Sequence, residues 1–395
     1  MRVVVVGAGL IGCACALALA RRGAVVTVLE RGAFSQHAAS RAAAGILGAQ
    51  LERHASGDML ELCVASRGRY PDWVGEIEAA SGVSVDYRSC GTMRVAFTDA
   101  ERAEIAAEVD AQRAAGHQAE LLDGAAARRL EPALTGDVIA AASFPGDGVI
   151  DPPKLLEALR IAGSKAGVRL RCGVEVNGLV RRGDRVVGVC VHDEHGAPEA
   201  VSSDWVVVAA GSWSSLIADL EPMGIAPDLI VPARGQMIEL RAPTAHLGRV
   251  VDAPGAYLSP RSDGRVLVGS TVELVGHERG VTASGARSLL DGALSVAPAL
   301  GDAHLADSWC GFRALTADRL PILSAAPHDG LLLATGHFRN GVVLAPLTAE
   351  IIVDLAFGLE SDVDLEPFSV ERFALAVTRE SAGTGPPTLV RDPSS

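Results

Sequence analysis

Val3-Val4-Val5-Val6 is an unbroken β-branched run, the pattern of a strand buried on both faces. Gly7-Ala8-Gly9-Leu10-Ile11-Gly12 follows at once, and Cys13 to Arg22 reads as a helix closed by Gly23, a residue suited to a left-handed C-terminal turn. A second apolar run, Val25 to Leu29, ends on Glu30. The order strand, G-x-G-x-x-G, helix, strand, acid has a physical logic. Gly7 permits the tight turn, Gly9 lets backbone approach a pyrophosphate, and Gly12 lets helix and strand pack closely. The helix start offers free N–H groups and the positive end of the peptide dipole to phosphate. Glu30 lies 18 residues beyond Gly12, where a carboxylate bonds ribose hydroxyls and repels a 2′-phosphate, so NADP is not expected. The motif alone does not separate FAD from NAD, and the alternative is a glycine-rich turn in a plain α/β protein.

Further on, Ser40-Arg41-Ala42-Ala43-Ala44-Gly45-Ile46-Leu47-Gly48 is a run of small residues that lets the chain lie against a flat or phosphate-bearing ligand, with Ser40 and Arg41 as pyrophosphate contacts. Taken alone, it also reads as an Ala-rich helix start. Leu51 to Ser81 reads as helical, Val83 to Phe97 as strands, Asp99 to Ala115 as an amphipathic helix and Pro153 to Ala166 as another, with Pro in its first turn. Val168 to Cys172, Val174 to Val176, Val186 to His192 and Trp205 to Ala210 read as strands, and Ala209-Ala210-Gly211 again places small residues at a strand end. Val231 to Leu240, Ala256 to Ser259 and Arg265 to Thr271 read as an antiparallel sheet, Thr282 to Leu290 as a helix, and Trp309 to Leu323 as short strands and turns. Leu331 to Gly336 is a buried strand, and Gly341 to Phe357 the last helix. Nucleotide-type segments thus alternate with sheet segments, which predicts an α/β chain of two interleaved domains. The expected boundaries are 1–82, 144–215 and 305–378 for a Rossmann-type nucleotide domain, 83–143 and 216–304 for an antiparallel-sheet substrate domain, and 379–395 for a loose tail.

Composition narrows the class. Hydrophobic residues at 49% against 21% charged fill a sizeable core and exclude a mainly disordered chain. A net charge of −13 disfavours nucleic acid and anionic membrane as partners. Seven Cys without CxxC pairs exclude a disulfide framework and make a reducing cytoplasm the simplest location, and no metal ligand set is expected. The uncharged stretch Val3 to Ala20 imitates a signal peptide, but its basic residues, Arg21 and Arg22, follow it instead of preceding it, and glycines at motif spacing interrupt it. Assembly is left open, a homo-oligomer included.

Gly336-His337-Phe338-Arg339-Asn340-Gly341, then Leu344-Ala345-Pro346, and Gly311-Phe312-Arg313 before them, together with Ser40 to Gly48 and the N-terminal motif, resemble the glycine oxidases of the D-amino-acid oxidase family. The likeness runs from Val3 to about Phe373 and implies non-covalent FAD, with the flavin under the antiparallel sheet. By this resemblance Val176 meets the adenine through its backbone, Ala43, Ala44, Gly45 and Ile46 line the flavin, and Arg31, Ala210, Gly211, Trp213 and His337 also lie along the cofactor. Arg339-Asn340-Gly341 opens the last helix, whose N–H groups face the flavin edge where negative charge gathers on reduction. Tyr257 and Arg313 hold a substrate carboxylate, a guanidinium fork being suited to bidentate binding. For Arg313 the alternative is a buried ion pair with Asp318 or Glu239, and for Tyr257 a core ring with a satisfied hydroxyl.

The implied reaction is hydride transfer from an amine or amino acid to flavin, reoxidation by O2 to H2O2, and imine hydrolysis to a 2-oxo acid and ammonia. In such enzymes the imine also feeds thiazole synthesis for thiamine. A same-fold dehydrogenase passing electrons to a quinone or partner subunit is the alternative. The pattern departs from the family at Gly255, where a His is usual, at Val272, where a Met is usual, and at Ala314, where a Pro is usual. The first two changes predict a roomier pocket and a substrate somewhat larger than glycine. Cys310 lies one residue short of the covalent flavin attachment point of related sarcosine oxidases and reads as a small core residue.

Overall fold

A computed structural model describes residues 1–54, 57–192, 196–242 and 247–373. The expected tail at 379–395 lies outside the described residues, as does the end of the 305–378 segment.

The valine run forms the strand Arg2–Val6 at the centre of a six-stranded sheet. The spatial order is Ile322–Ala325, Leu331–Thr335, Trp205–Val208, Arg2–Val6, Val25–Glu30 and Arg169–Cys172, parallel throughout except at the Ile322–Ala325 edge. Alternate side chains of a strand face opposite ways. Val3 and Val5 enter a core shared with the helices Leu10–Arg21, Pro152–Lys165 and Ala345–Phe357, whereas Val4 and Val6 enter a second core beneath a three-stranded antiparallel sheet of Glu175–Arg182, Arg185–His192 and Pro198–Ser202. Both faces are covered, which is why the run never alternates with polar residues. Each buried valine contributes about 1.5–3 kcal/mol relative to exposure.

The second large sheet has eight strands in the order His304–Thr316, Ile230–Arg241, Arg265–Gly269, Ala256–Pro260, Val250–Ala253, Thr92–Ala96, Ala140–Phe144 and Glu120–Asp123. All neighbours are antiparallel except Val250–Ala253 and Thr92–Ala96. The helix Ala283–Val296, whose N-cap Thr282 accepts from the Gly285 N–H, packs on one face of this sheet.

Three elements differ from expectation. Of Val83 to Phe97 only Thr92–Ala96 is a strand, because the preceding stretch is tied to a helix and a turn: the Val85 N–H donates to the Glu78 carboxylate at 2.7 Å, and Arg88 bridges to Val149. Trp309 to Leu323 is not a set of short pieces. Residues His304–Thr316 form one 13-residue strand that pairs along nearly all of Ile230–Arg241. That strand belongs to the eight-stranded sheet, so the chain returns to the nucleotide-type sheet after Thr316 and not at 305. The last helix begins at Ala345 instead of Gly341, Pro346 occupying its first turn.

Candidate active site

A continuous cleft runs between the two large sheets. At one end its floor is backbone. Gly7 turns the chain with φ +102°, and a Cβ there would lie 2.6 Å from the Ala209 carbonyl. A Cβ on Gly12 would overlap the Gly7 carbonyl, so this glycine sets the helix-to-strand distance and does not itself line the cleft. Gly9 does line it and has open space where a side chain would be. The helix Leu10–Arg21 starts there with no side-chain cap of its own. Ser40 supplies one from outside, its hydroxyl accepting the Leu10 N–H at 3.3 Å. Glu30 accepts the N–H groups of Ala8 at 2.9 Å and Gly32 at 3.2 Å, which fixes the carboxylate at the cleft wall.

Arg31, Ala43, Ala44, Gly45, Ile46, Val176, Ala210, Gly211 and Trp213 all line the same cleft. The Arg31 guanidinium lies 4.3 Å from the centre of the Trp213 ring. Arg41 does not belong to the cleft. It is exposed and donates to the Ser35 hydroxyl at 3.5 Å, because the one-turn helix Ala39–Ala42 directs residues 40 and 41 to different sides.

At the other end the lining is made of side chains from distant strands. Tyr257 and Met237 both register against Gly269, and across that side-chain-free position the Tyr257 hydroxyl reaches the Met237 sulfur at 3.2 Å. Arg313 stands on His304–Thr316 beside Gly235, where any Cβ would overlap its guanidinium. It donates to the Ser270 hydroxyl and to the Thr271 carbonyl. No carboxylate pairs with it among the described residues. Asp318 is paired with Arg372 at 2.7 Å, and Glu239 with Arg241 and Arg265 at 3.2 and 3.6 Å, so neither alternative partner is available. Burial, reinforced by the nearby Arg339 charge, holds the Arg313 pKa below its usual value.

Arg339 is compensated instead. Its Nε donates to Glu52 at 2.8 Å. Burial pushes the Glu52 carboxyl up, but the charge and hydrogen bond of Arg339 outweigh it and leave the pKa below 4.5. His337 is buried, its ring Nε2 lies 3.1 Å from the Thr348 hydroxyl, and burial pushes its pKa down to about 3, so the ring is neutral near pH 7. Glu52, Met237, Ser270 and Thr271 went unnoticed in the sequence. Gly255 and Val272, read there as pocket-enlarging, do not line the cleft. Gly255 is an exposed hairpin-turn residue with φ +87°, facing Gly292. Cys310 is also outside it and accepts the Gly280 N–H at 3.3 Å.

Residues 2–355 match the family model described as FAD dependent oxidoreductase, the D-amino-acid oxidase (DAO) type. The chain belongs to this family of FAD-dependent oxidoreductases. It is 38% identical to the bifunctional protein ThiO/ThiG of Synechocystis over 98% of its own length and 55% of that protein's. The glycine oxidase of Geobacillus kaustophilus is 34% identical, with 94% of this chain and 96% of that one aligned. The crystal structure of a glycine oxidase from the same organism superposes with a TM-score of 0.87 at 32% identity, covering 94% and 99% of the two chains. The chain therefore spans about half the length of ThiO/ThiG-type relatives and nearly all of a stand-alone glycine oxidase.

The residues present fit FAD. The dinucleotide end has the glycine floor, the helix start and the fixed Glu30. Between the two ends, the Asn340 side-chain oxygen is buried with no hydrogen-bond partner among the described residues. Gly341, Val342 and Val343 line the cleft, and their N–H groups have no acceptor among the described residues. They precede the helix, with Leu344 already donating to the Asn340 carbonyl at 2.9 Å, so the donors come from a lead-in turn and not from the helix itself. Buried polar groups without partners carry a cost that a polar ligand edge relieves. No helix among the described residues is long and apolar enough to cross a membrane.

Proposed function

We propose that this chain is an FAD-dependent oxidase of glycine or another small amino acid, with O2 as electron acceptor. One observation carries the reading: Arg313 stands in the cleft without a carboxylate partner, beside the Tyr257 hydroxyl. An uncompensated cation held among strands is costly unless an anion completes it. An α-carboxylate does so, and two guanidinium donors with a phenol fix its orientation.

Gly9, Ser40, Glu30 and the Leu10–Arg21 helix start would hold the dinucleotide, and Ala43 to Ile46, Asn340 and the 341–343 amides the flavin. When bound, FAD supplies the two-electron oxidation of the substrate carbon–nitrogen bond and delivers the electrons to O2, giving H2O2 and an imine that water converts to a 2-oxo acid and ammonia. Arg339, neutralised by Glu52, leaves Arg313 as the uncompensated positive charge at this end. The site thereby suits a single carboxylate. Neutral His337 lines the cleft with its Nε2 held at the Thr348 hydroxyl and needs no proton-transfer role. The nucleotide domain comprises 1–82, 144–215 and the chain after Thr316, and the substrate domain the remainder of the described sheet segments.

The test is a panel of glycine, D-amino acids and simple amines added to FAD-loaded protein. Flavin bleaching without air and peroxide release with air are expected for at least one small amino acid. Bleaching without peroxide would turn the protein into a dehydrogenase, and no bleaching by any member would sink the proposal.

A further inference from the structure

Residues 270–282 connect the strand Arg265–Gly269 to the helix Ala283–Val296. This connector starts at the substrate end, where Ser270 and Thr271 accept from Arg313. It then crosses to the nucleotide-type sheet. The His277 ring stacks on Trp213, with centroids 4.7 Å apart and planes 14° from parallel, and its Nε2 lies 3.1 Å from the Ser212 hydroxyl. Arg279 places Nη2 2.6 Å from His37 Nδ1 and its guanidinium 6.0 Å from the centre of the Phe312 ring. Trp213, Ser212, His37 and Phe312 all line the cleft.

The chemistry of these contacts is one-sided. A guanidinium only donates, so His37 accepts through an unprotonated Nδ1. Neither Arg31 nor Arg279 has an ion-pair partner among the described residues. Arg31 lines the cleft with the charges of Glu175 and Glu30 acting on it, Arg279 stands beside the cleft-lining His37 and Phe312, and aromatic faces hold both guanidiniums.

We propose that Arg279 and His277 form a clasp that retains FAD: the connector must detach from His37 and Trp213 before the dinucleotide can leave. The clasp rests on the FAD reading alone and not on the substrate. It also ties cofactor retention to the segment that positions Arg313.

Release of FAD from the holoenzyme, followed as flavin fluorescence after dilution, tests it. In Arg279→Ala, loss of one charge-assisted hydrogen bond and one cation–π contact is expected to speed release roughly tenfold, and Arg279→Lys to restore part of the retention. The proton competes for the same nitrogen. His37 faces Arg279, Arg31 and Glu30, and burial together with the two guanidiniums holds its pKa below 6.5. Release from the unsubstituted protein should therefore quicken as the pH falls below 6.5, and this quickening should shrink in Arg279→Ala. An unchanged release rate in Arg279→Ala overturns the clasp. So does faster release accompanied by a lower melting temperature of the apoprotein, which would mean general loosening. Failure of the unsubstituted protein to bind FAD would instead remove the cofactor reading beneath it.

Discussion

The two ends of the cleft are built on different principles. The dinucleotide end is backbone shaped by absent side chains: Gly7 and Gly12 are compressed against their surroundings and Gly9 is open to the ligand. Its glycines and its acid, Gly7 to Glu30, are close together in sequence. The carboxylate end is made of side chains, Tyr257, Arg313, Arg339 and Glu52, brought from strands and loops far apart in the chain. The first end depends on glycines that leave no room for a side chain at Gly7 and Gly12, whereas the second depends on the charge of the side chains it gathers.

The sharpest way to break this contrast is at the glycines. Gly12→Ala forces a methyl into the Gly7 carbonyl and is expected to cost roughly 3 kcal/mol or more of stability, seen as a lower melting temperature without flavin. Gly9→Ala adds a methyl that meets nothing within 4 Å among the described residues. Its melting should stay within about 0.5 kcal/mol of the parent while FAD binding weakens at least about tenfold. Equal loss of fold in both would erase the distinction between packing and ligand glycines.

Next comes the carboxylate end. Arg313→Leu removes the charge and the guanidinium donors and leaves an apolar side chain. KM for an amino-acid substrate is expected to rise about 100-fold, in line with about 2–3 kcal/mol for a charge-assisted pair, with the flavin spectrum retained. Unchanged KM would take Arg313 out of substrate binding.

The same contrast explains what the sequence made legible. Val3 to Glu30 is readable because strand, glycines, helix and acid are contiguous and each has one physical job. Even the burial on both faces follows from four successive valines. Arg313 stood out because an Arg in an apolar run demands a partner, but only the fold shows that Asp318 and Glu239 are taken. Glu52 carries no local signal. It lies in a loop held by tertiary bonds: Asp147 accepts the Gln50 and Leu51 N–H groups at 3.2 and 3.1 Å, and Arg94 donates to the Leu51 carbonyl. The strand His304–Thr316 was hidden for the same reason. Its Gly311 lies against Ala42 and its Cys310 faces the connector, so its composition reflects neighbours and not β-propensity. Gly255 misled because a position two residues before a pocket tyrosine faces the same way in a strand, whereas here it is the turn itself.

Glu52→Gln probes charge balance with less violence. It leaves Arg339 hydrogen-bonded but uncompensated and is expected to cost about 1–2 kcal/mol near neutral pH. The folded-state pKa of Glu52 is depressed, so its contribution is present above the ordinary value of 4.5 and is lost as pH falls through the lower folded value. The stability difference between parent and variant should therefore be full at pH 7 and close in acid, measured by denaturant unfolding across pH. A difference that persists below that range would assign the effect to packing.

The smallest effect separates two adjacent residues. Ser40 caps the Leu10 N–H from outside the helix, whereas Arg41 lies on the surface with Ser35. Ser40→Ala is expected to lose about 0.5–1 kcal/mol and to weaken FAD retention, because it frees a helix-start donor and removes a hydroxyl from the cleft. Arg41→Ala should stay within about 0.5 kcal/mol and leave FAD affinity as it was. If the arginine variant instead lost FAD, charge at the pyrophosphate end would matter as it does at the carboxylate end, and the division between a backbone-built and a charge-built site would fail.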